Sequence, residues 1–130
     1  MTLLRFDGVS KKYPGGHLAL NDLSFSVQAG EMLFITGHSG AGKSTLLNMV
    51  SGFLQPSSGS VTLRNVPIER PGPDRMVVFQ NYSLLPWQTV RQNIALAVNN
   101  VMSGASTAEQ RERIEQSIQL VGLGHAADKF

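Results

Sequence analysis

Nine consecutive residues, Gly37-His38-Ser39-Gly40-Ala41-Gly42-Lys43-Ser44-Thr45, have the types and order of a phosphate-binding loop. Gly37, Gly40 and Gly42 let the backbone take turns that side chains forbid. Successive N–H groups can then point inward as an anion nest. A helix starting near Lys43 adds unpartnered N–H groups and the positive end of its dipole. Lys43 supplies a full positive charge for the β- and γ-phosphates of a nucleotide, and the Ser44 hydroxyl is placed to ligate Mg²⁺. ATP with Mg²⁺ is the ligand this pattern suits. His38 is a variable position of the loop and lines the site through its backbone. His17 and His125 have no acidic or histidine partner at metal-ligand spacing and are assigned no site.

Such a loop needs a strand before it and a helix after it. Met32-Leu33-Phe34-Ile35 is a short continuous apolar run, the pattern of a strand buried on both faces. Ser44 to Val50 carries Leu46, Leu47, Met49 and Val50 and reads as a helix packed on the sheet. Upstream, Leu3 to Val9 and Leu18 to Val27 read as strands joined by the turn Tyr13-Pro14-Gly15-Gly16, with a second turn at Ala29-Gly30-Glu31. Downstream, Pro56-Ser57-Ser58-Gly59 breaks the chain. Val61 to Leu63 and Met76 to Phe79 read as strands separated by the loop around Pro71-Gly72-Pro73. Thr89 to Val98 and Thr107 to Val121 read as helices, the second with Ile114, Ile118 and Val121 on one face. Ser106 and Glu109 have capping-box spacing at its start. A β-rich beginning followed by alternating β and α implies an α/β domain with an antiparallel β element on its N-terminal side.

Composition narrows the function classes. A length of 130 residues fits one domain or a large piece of one, and the absence of cysteine excludes thiol chemistry, disulfides and Cys-type zinc sites. No apolar run is long enough to span a bilayer and the first residues lack a signal-peptide pattern, so any link to a membrane is peripheral. The formal net charge of +2 comes from scattered basic residues, with Lys11-Lys12 the only adjacent pair. A solvated surface accounts for them better than nucleic acid does. Arg111 and Arg113, in the stretch from Glu109 to Glu115, read as a solvated helix face.

The loop's full pattern, Gly-x-Ser-Gly-x-Gly-Lys-Ser-Thr, resembles the Walker A motif of ATP-binding cassette (ABC) transporter ATPases. Val9-Ser10-Lys11-Lys12-Tyr13 resembles that family's A-loop, and Leu20-Asn21-Asp22-Leu23-Ser24-Phe25 before Gly30-Glu31 resembles its second β element. Val77-Val78-Phe79-Gln80, followed by Leu84 to Ile94, resembles its Q-loop and the segment after it. Within the family, Leu47 to Phe53 and Pro71 to Arg75 are most similar to the nitrate, sulfonate and taurine importer group, nearest the nitrate type. The resemblance covers the whole chain. It implies a P-loop NTPase fold of the ABC ATPase type with an N-terminal antiparallel β subdomain.

For individual residues, the resemblance implies an adenine platform at Tyr13, whose ring can stack on a base for about 1–3 kcal/mol. It implies that Gln80 offers its amide oxygen to Mg²⁺ and its amide N–H to an attacking water. Tyr82, Leu84, Leu85, Pro86 and Trp87 form an apolar cluster in a loop, and the resemblance makes it the surface that receives a coupling helix from a transmembrane permease subunit. A second ATPase subunit would share the nucleotides, a periplasmic or lipid-anchored solute-binding protein would act indirectly, and the location would be the cytoplasmic face of the cell membrane.

Hydrolysis needs an acidic residue on Mg²⁺ and a group that positions water. The family supplies these in a Walker B strand ending in Asp-Glu. Asp7, Asp22, Asp74 and Asp128 do not fit that pattern, and neither the Leu-Ser-Gly-Gly-Gln signature nor the switch histidine is present. The expectation is therefore an N-terminal half of an ABC ATPase, truncated before the signature helix and the Walker B strand, able to hold ATP and inactive alone. Two other readings stay open. One is a non-catalytic nucleotide-binding module. The other is a different P-loop class such as a kinase or a GTPase, although no guanine-reading Asn-Lys-x-Asp occurs.

Overall fold

The computed structural model describes all 130 residues, which divide into two units, Met1–Val77 and Val78–Phe130. In the first unit, the chain begins with two long strands, β1 (Thr2–Lys12) and β2 (Leu18–Gln28). They pair antiparallel with Phe6 opposite Phe25 and Val9 opposite Leu23. Helix α1 (Lys43–Ser51) follows, then β3 (Ser58–Leu63) and the two-residue strand β4 (Val66–Pro67). The sheet is four-stranded, antiparallel throughout, in the order β2-β1-β3-β4. β3 and β4 are joined across Arg64 and Asn65, both at positive φ (50° and 66°), the backbone that a two-residue hairpin with right-handed twist requires. Ser58 and Gly59, expected to lie in a break, already belong to β3.

The core of this unit is Phe6, Val9, Leu46, Met49, Val61 and Ile68, so one face of the sheet is closed by α1. The Phe6 and Phe25 rings stack with centroids 4.7 Å apart. Leu46 and Met49 face inward, one turn apart, whereas Leu47 is exposed. Gly52, at φ 83°, ends α1: its N–H donates to the Met49 carbonyl and that of Phe53 to the Asn48 carbonyl, the double closure of a Schellman turn.

Two expected strands are not formed. Met32–Ile35 and Met76–Phe79 belong to no ladder, and Met32, Phe34, Met76 and Val78 are strongly exposed. A strand exists only as part of a ladder of hydrogen bonds with a neighbour, and no sheet includes either run. Of the run whose pattern suggests two-sided burial, only Ile35 packs against the core, and Met32, Leu33 and Phe34 are exposed.

The second unit contains α2 (Val90–Val101), α3 (Thr107–Leu120) and a short 3₁₀ turn (Gly124–Ala126). Thr89 is the N-cap of α2 and not its first helical residue: Thr89 Oγ1 accepts from the Gln92 N–H while the Gln92 side chain accepts from the Thr89 N–H. Ser106 and Glu109 form the same reciprocal box on α3. Ile118 is fully buried, whereas Val121, expected on the same face, lies past the end of α3 and is exposed. The first amides of α2 are also satisfied from the far end of the unit, Val90 N–H by the Lys129 carbonyl and Arg91 N–H by that of Ala127. Arg91 adds an ion pair to Glu115 and one of 3.0 Å to Asp128.

Candidate nucleotide-binding site

The glycine-rich segment runs without regular structure into α1. Gly40 and Gly42 take positive φ of 82° and 93°, and Gly42 is the N-cap of the helix. No side chain caps α1 and its first turn carries no acidic residue. Its leading N–H groups and positive dipole end are thus left for an anion. A side chain at Gly40 would meet nothing within 4 Å, so the missing Cβ leaves open space, whereas one at Gly42 would lie 2.6 Å from the Ala19 carbonyl oxygen of β2. One glycine opens the cradle and the other lets the loop press against the sheet.

Lys43 curls over the loop. Its Nζ donates to the carbonyls of Gly37 and His38, both at 2.6 Å, and the His38 carbonyl also accepts from the Ala41 N–H at 3.2 Å. These bonds hold the ammonium group at the loop with no carboxylate to neutralise it. The His38 side chain is exposed, and its Nδ1 donates to the Ser39 carbonyl at 2.8 Å. Ser44 is exposed at the start of the helix, and Thr45 is buried.

Tyr13 joins the site from the hairpin. Its hydroxyl lies 3.2 Å from Thr45 Oγ1, and the Lys11 ammonium sits 5.6 Å from its ring centroid, tethered by donation to the Gln55 carbonyl at 2.7 Å. Together these residues bound a cleft of about 480 Å³. Ser39, Gly40, Gly42, Lys43, Ser44 and Thr45 form one side, and Tyr13 forms the other with His17 and Ala19. The lining contains two cationic or imidazole side chains and no carboxylate. Gly37, His38 and Ala41 shape the loop from behind. His17 was assigned no site because it lacks metal-ligand partners. The cross-turn bond from the Tyr13 N–H to the His17 carbonyl, 2.9 Å, puts it here. A hairpin whose turn begins at a candidate aromatic is the signal that could have pointed to it.

Gln80 belongs to the second unit and is exposed there. In the same unit Tyr82, Leu84, Pro86 and Trp87 are exposed and Leu85 is half-buried, so the apolar cluster is open to solvent and not packed on itself. Asn93 of α2, a residue without a role on sequence grounds, pins this loop. Its Oδ1 accepts from the Leu85 N–H at 2.8 Å, and its Nδ2 lies 3.1–3.2 Å from the carbonyls of Leu85, Gln88 and Thr89.

A sequence model of the ABC transporter family matches residues 20–130. The chain belongs to the ABC transporter family. It is 56% identical over 129 residues to the nitrate import ATP-binding protein NrtD of Synechococcus elongatus, a match covering 97% of this chain and 47% of that protein. It is 58% identical over 115 residues to the bicarbonate transport ATP-binding protein CmpC of Synechocystis, covering 88% of this chain and 17% of that one. The chain thus spans about half the length of NrtD and less of CmpC. Among solved structures, the ATP-binding cassette MJ0796 bound to ADP and Pi matches at a TM-score of 0.76 and 28% identity, over 97% of this chain and 60% of that chain. CbiO1 of Clostridium perfringens matches at 0.77 and 28%, over 98% and 53%. The fold is that of an ABC ATPase cassette, with the β2-β1-β3-β4 sheet as its N-terminal antiparallel subdomain.

Proposed function

We propose that this ABC family chain binds MgATP in the cleft between Tyr13 and the Gly37–Thr45 loop, as the N-terminal part of the ATPase subunit of an importer for nitrate or a related small anion. The carrying observation is convergence: one cleft holds an uncapped helix N-terminus, an unneutralised lysine ammonium and an aromatic ring. The helix end and Lys43 take the phosphates, and Tyr13 takes the base. No cluster of three or more acidic, histidine or cysteine residues could hold a metal by itself. Mg²⁺ would enter with the phosphates, with Ser44 as its ligand from this cleft, and would neutralise charge on the transferring group.

The cleft lining has no carboxylate, so these residues cradle ATP and do not activate water. Turnover would need groups from outside it, and the chain by itself should release no phosphate from ATP. In the importer, the exposed Tyr82 to Trp87 loop would dock on the permease, a second ATPase subunit would complete the nucleotide sites, and the solute-binding protein would act from the far side. No helix is long and apolar enough to cross a membrane, so attachment at the cytoplasmic face would run through the permease. NrtD serves nitrate import and CmpC bicarbonate transport, which supports a small inorganic anion as cargo.

Replacing the Lys43 codon by alanine in the chromosomal gene, and following uptake of nitrate and bicarbonate, tests this reading. Loss of nitrate uptake alone supports it. Loss of bicarbonate uptake, alone or with nitrate, supports the importer role with bicarbonate as a cargo, and unchanged uptake of both removes the role for these anions.

A further inference from the structure

The segment Arg70-Pro71-Gly72-Pro73-Asp74-Arg75 takes no part in the nucleotide cleft and bounds a second cleft of about 510 Å³. It closes on itself through Arg75. The Arg75 Nη2 donates to the Arg70 carbonyl at 2.8 Å, the Arg75 backbone N–H donates to the Gly72 carbonyl at 3.3 Å, and Nη1 lies 3.3 Å from the Asp74 carboxylate. Gly72 allows this closure, because a Cβ there would lie 2.5 Å from Asp74 Oδ1. Pro71 and Pro73 fix their own φ angles. Gln55 holds the entry to the segment, its Nε2 donating to the Ile68 and Glu69 carbonyls at 3.1 and 2.8 Å. The Arg70 backbone lies so close to Gly52, at the C-terminal end of α1, that a Cβ there would be 2.4 Å from the Arg70 carbonyl. The cleft is therefore preorganised, and it adjoins the end of α1 away from Lys43.

Its lining carries both signs of charge, and one group of each sign is unspent. Asp74 and Arg75 face each other. Glu69 and Arg70 also line the cleft, yet neither side chain makes a hydrogen bond or an ion pair. Arg75 adds a third point: its side chain is 14% exposed, and its Nε is buried with no acceptor. A buried N–H without a partner is costly and calls for one. Leu63, Val66 and Pro67 supply an apolar wall.

We propose that this cleft binds a free α-amino acid with an apolar side chain. Its carboxylate accepts from the guanidinium groups of Arg70 and Arg75, its ammonium group meets Glu69, and its side chain lies on Leu63, Val66 and Pro67. A lining with two guanidinium groups and two carboxylates gives a simple anion or a simple cation no net attraction. A zwitterion answers both free charges at once, and guanidinium is the group best matched to a carboxylate. The cleft also has the form of a small-molecule site, a concave apolar wall with a few convergent polar groups. Glu69 and Arg70 are exposed, so each ion pair contributes little and the affinity is on the order of 1 mM. The inference is independent of the nucleotide reading.

The test titrates L-leucine, its desamino analogue isocaproate and its decarboxylated analogue isoamylamine into the 130-residue chain without nucleotide, followed by amide chemical shifts, and repeats the titrations on Glu69→Gln and Arg70→Gln. L-Leucine should give saturable shifts in the Glu69 to Arg75 segment. Each analogue should bind about two- to fivefold more weakly, the worth of one exposed ion pair. Arg70→Gln should weaken leucine by a similar factor, and Glu69→Gln should make leucine and isocaproate bind alike. Both substituted side chains are exposed, and unchanged amide shifts in the β1–β2 hairpin verify that the variants keep the fold. Absence of saturable leucine binding overturns the proposal. So does isocaproate binding the parent as tightly as leucine, which would make the cleft a plain carboxylate site, and so does leucine binding that neither substitution alters.

Discussion

Gly42→Ala and Gly40→Ala look alike in sequence and differ in the structure. Both glycines are left-handed, and placing an L side chain there costs about 1–2 kcal/mol. At Gly40 that is the whole penalty, because a Cβ meets nothing within 4 Å. At Gly42 the Cβ would lie 2.6 Å from the Ala19 carbonyl oxygen and 3.0 Å from Leu20 Cδ2. The first is backbone of β2 and cannot swing aside, so overpacking adds about 1–3 kcal/mol. If the loop must hold this geometry around the phosphates, Gly40→Ala should lose about 5- to 30-fold in MgATP affinity. Gly42→Ala should lose about 30-fold or more. Titration calorimetry of the two variants, with circular dichroism to verify that both retain the β1–β2 hairpin, reads the difference. Gly42→Ala binding within twofold of the parent, or Gly40→Ala proving the worse of the two, would refute the assignment of Gly42 to close contact with the sheet.

Phe6→Ala should destabilise the first unit by about 3–5 kcal/mol in urea unfolding, because Phe6 is 1% exposed and stacks on Phe25. Asn93→Ala removes the bonds that its own side chain makes to Leu85, Gln88 and Thr89, each worth about 0.5–1.5 kcal/mol. It should speed amide exchange at Leu85 and lower the fluorescence anisotropy of Trp87, the chain's single tryptophan. Asn93→Asp, which can still accept from Leu85, should restore only the amide protection. Glu109 has its carboxyl held below the ordinary value of 4.5 by hydrogen bonds from the Ser106 hydroxyl and N–H. Its capping contribution to α3 is therefore complete above that value and is lost as pH falls below it through the lowered one, so helicity of the second unit should decline there, and Ser106→Ala, which keeps the N–H donor and loses the hydroxyl, should weaken the dependence.

The β1–β2 hairpin, α1 and the Ser106–Glu109 capping box are legible because each is decided locally: alternation, turn glycines and the Ser-x-x-Glu spacing act within a few residues. The glycine loop was legible for the same reason, since its order of residue types is its mechanism. What depended on distant partners was not. Met32–Ile35 and Met76–Phe79 carry strand-like apolar runs, yet a strand is a property of a ladder, and neither run belongs to one. β4 escaped notice because its hairpin turns on Arg64-Asn65 and not on a glycine-bearing pair. His17 and Asn93 are placed by geometry alone, one by a cross-turn bond and the other by reaching back from a helix to a loop, and neither residue type announces such a placement.

The central claim, that the Gly37–Thr45 loop holds nucleotide phosphates, is tested most directly by titrating MgATP into the 130-residue chain and into Lys43→Ala. Loss of a charge-assisted bond predicts saturable binding in the parent and at least a tenfold or so weakening in the variant. Equal binding by the two proteins would contradict it.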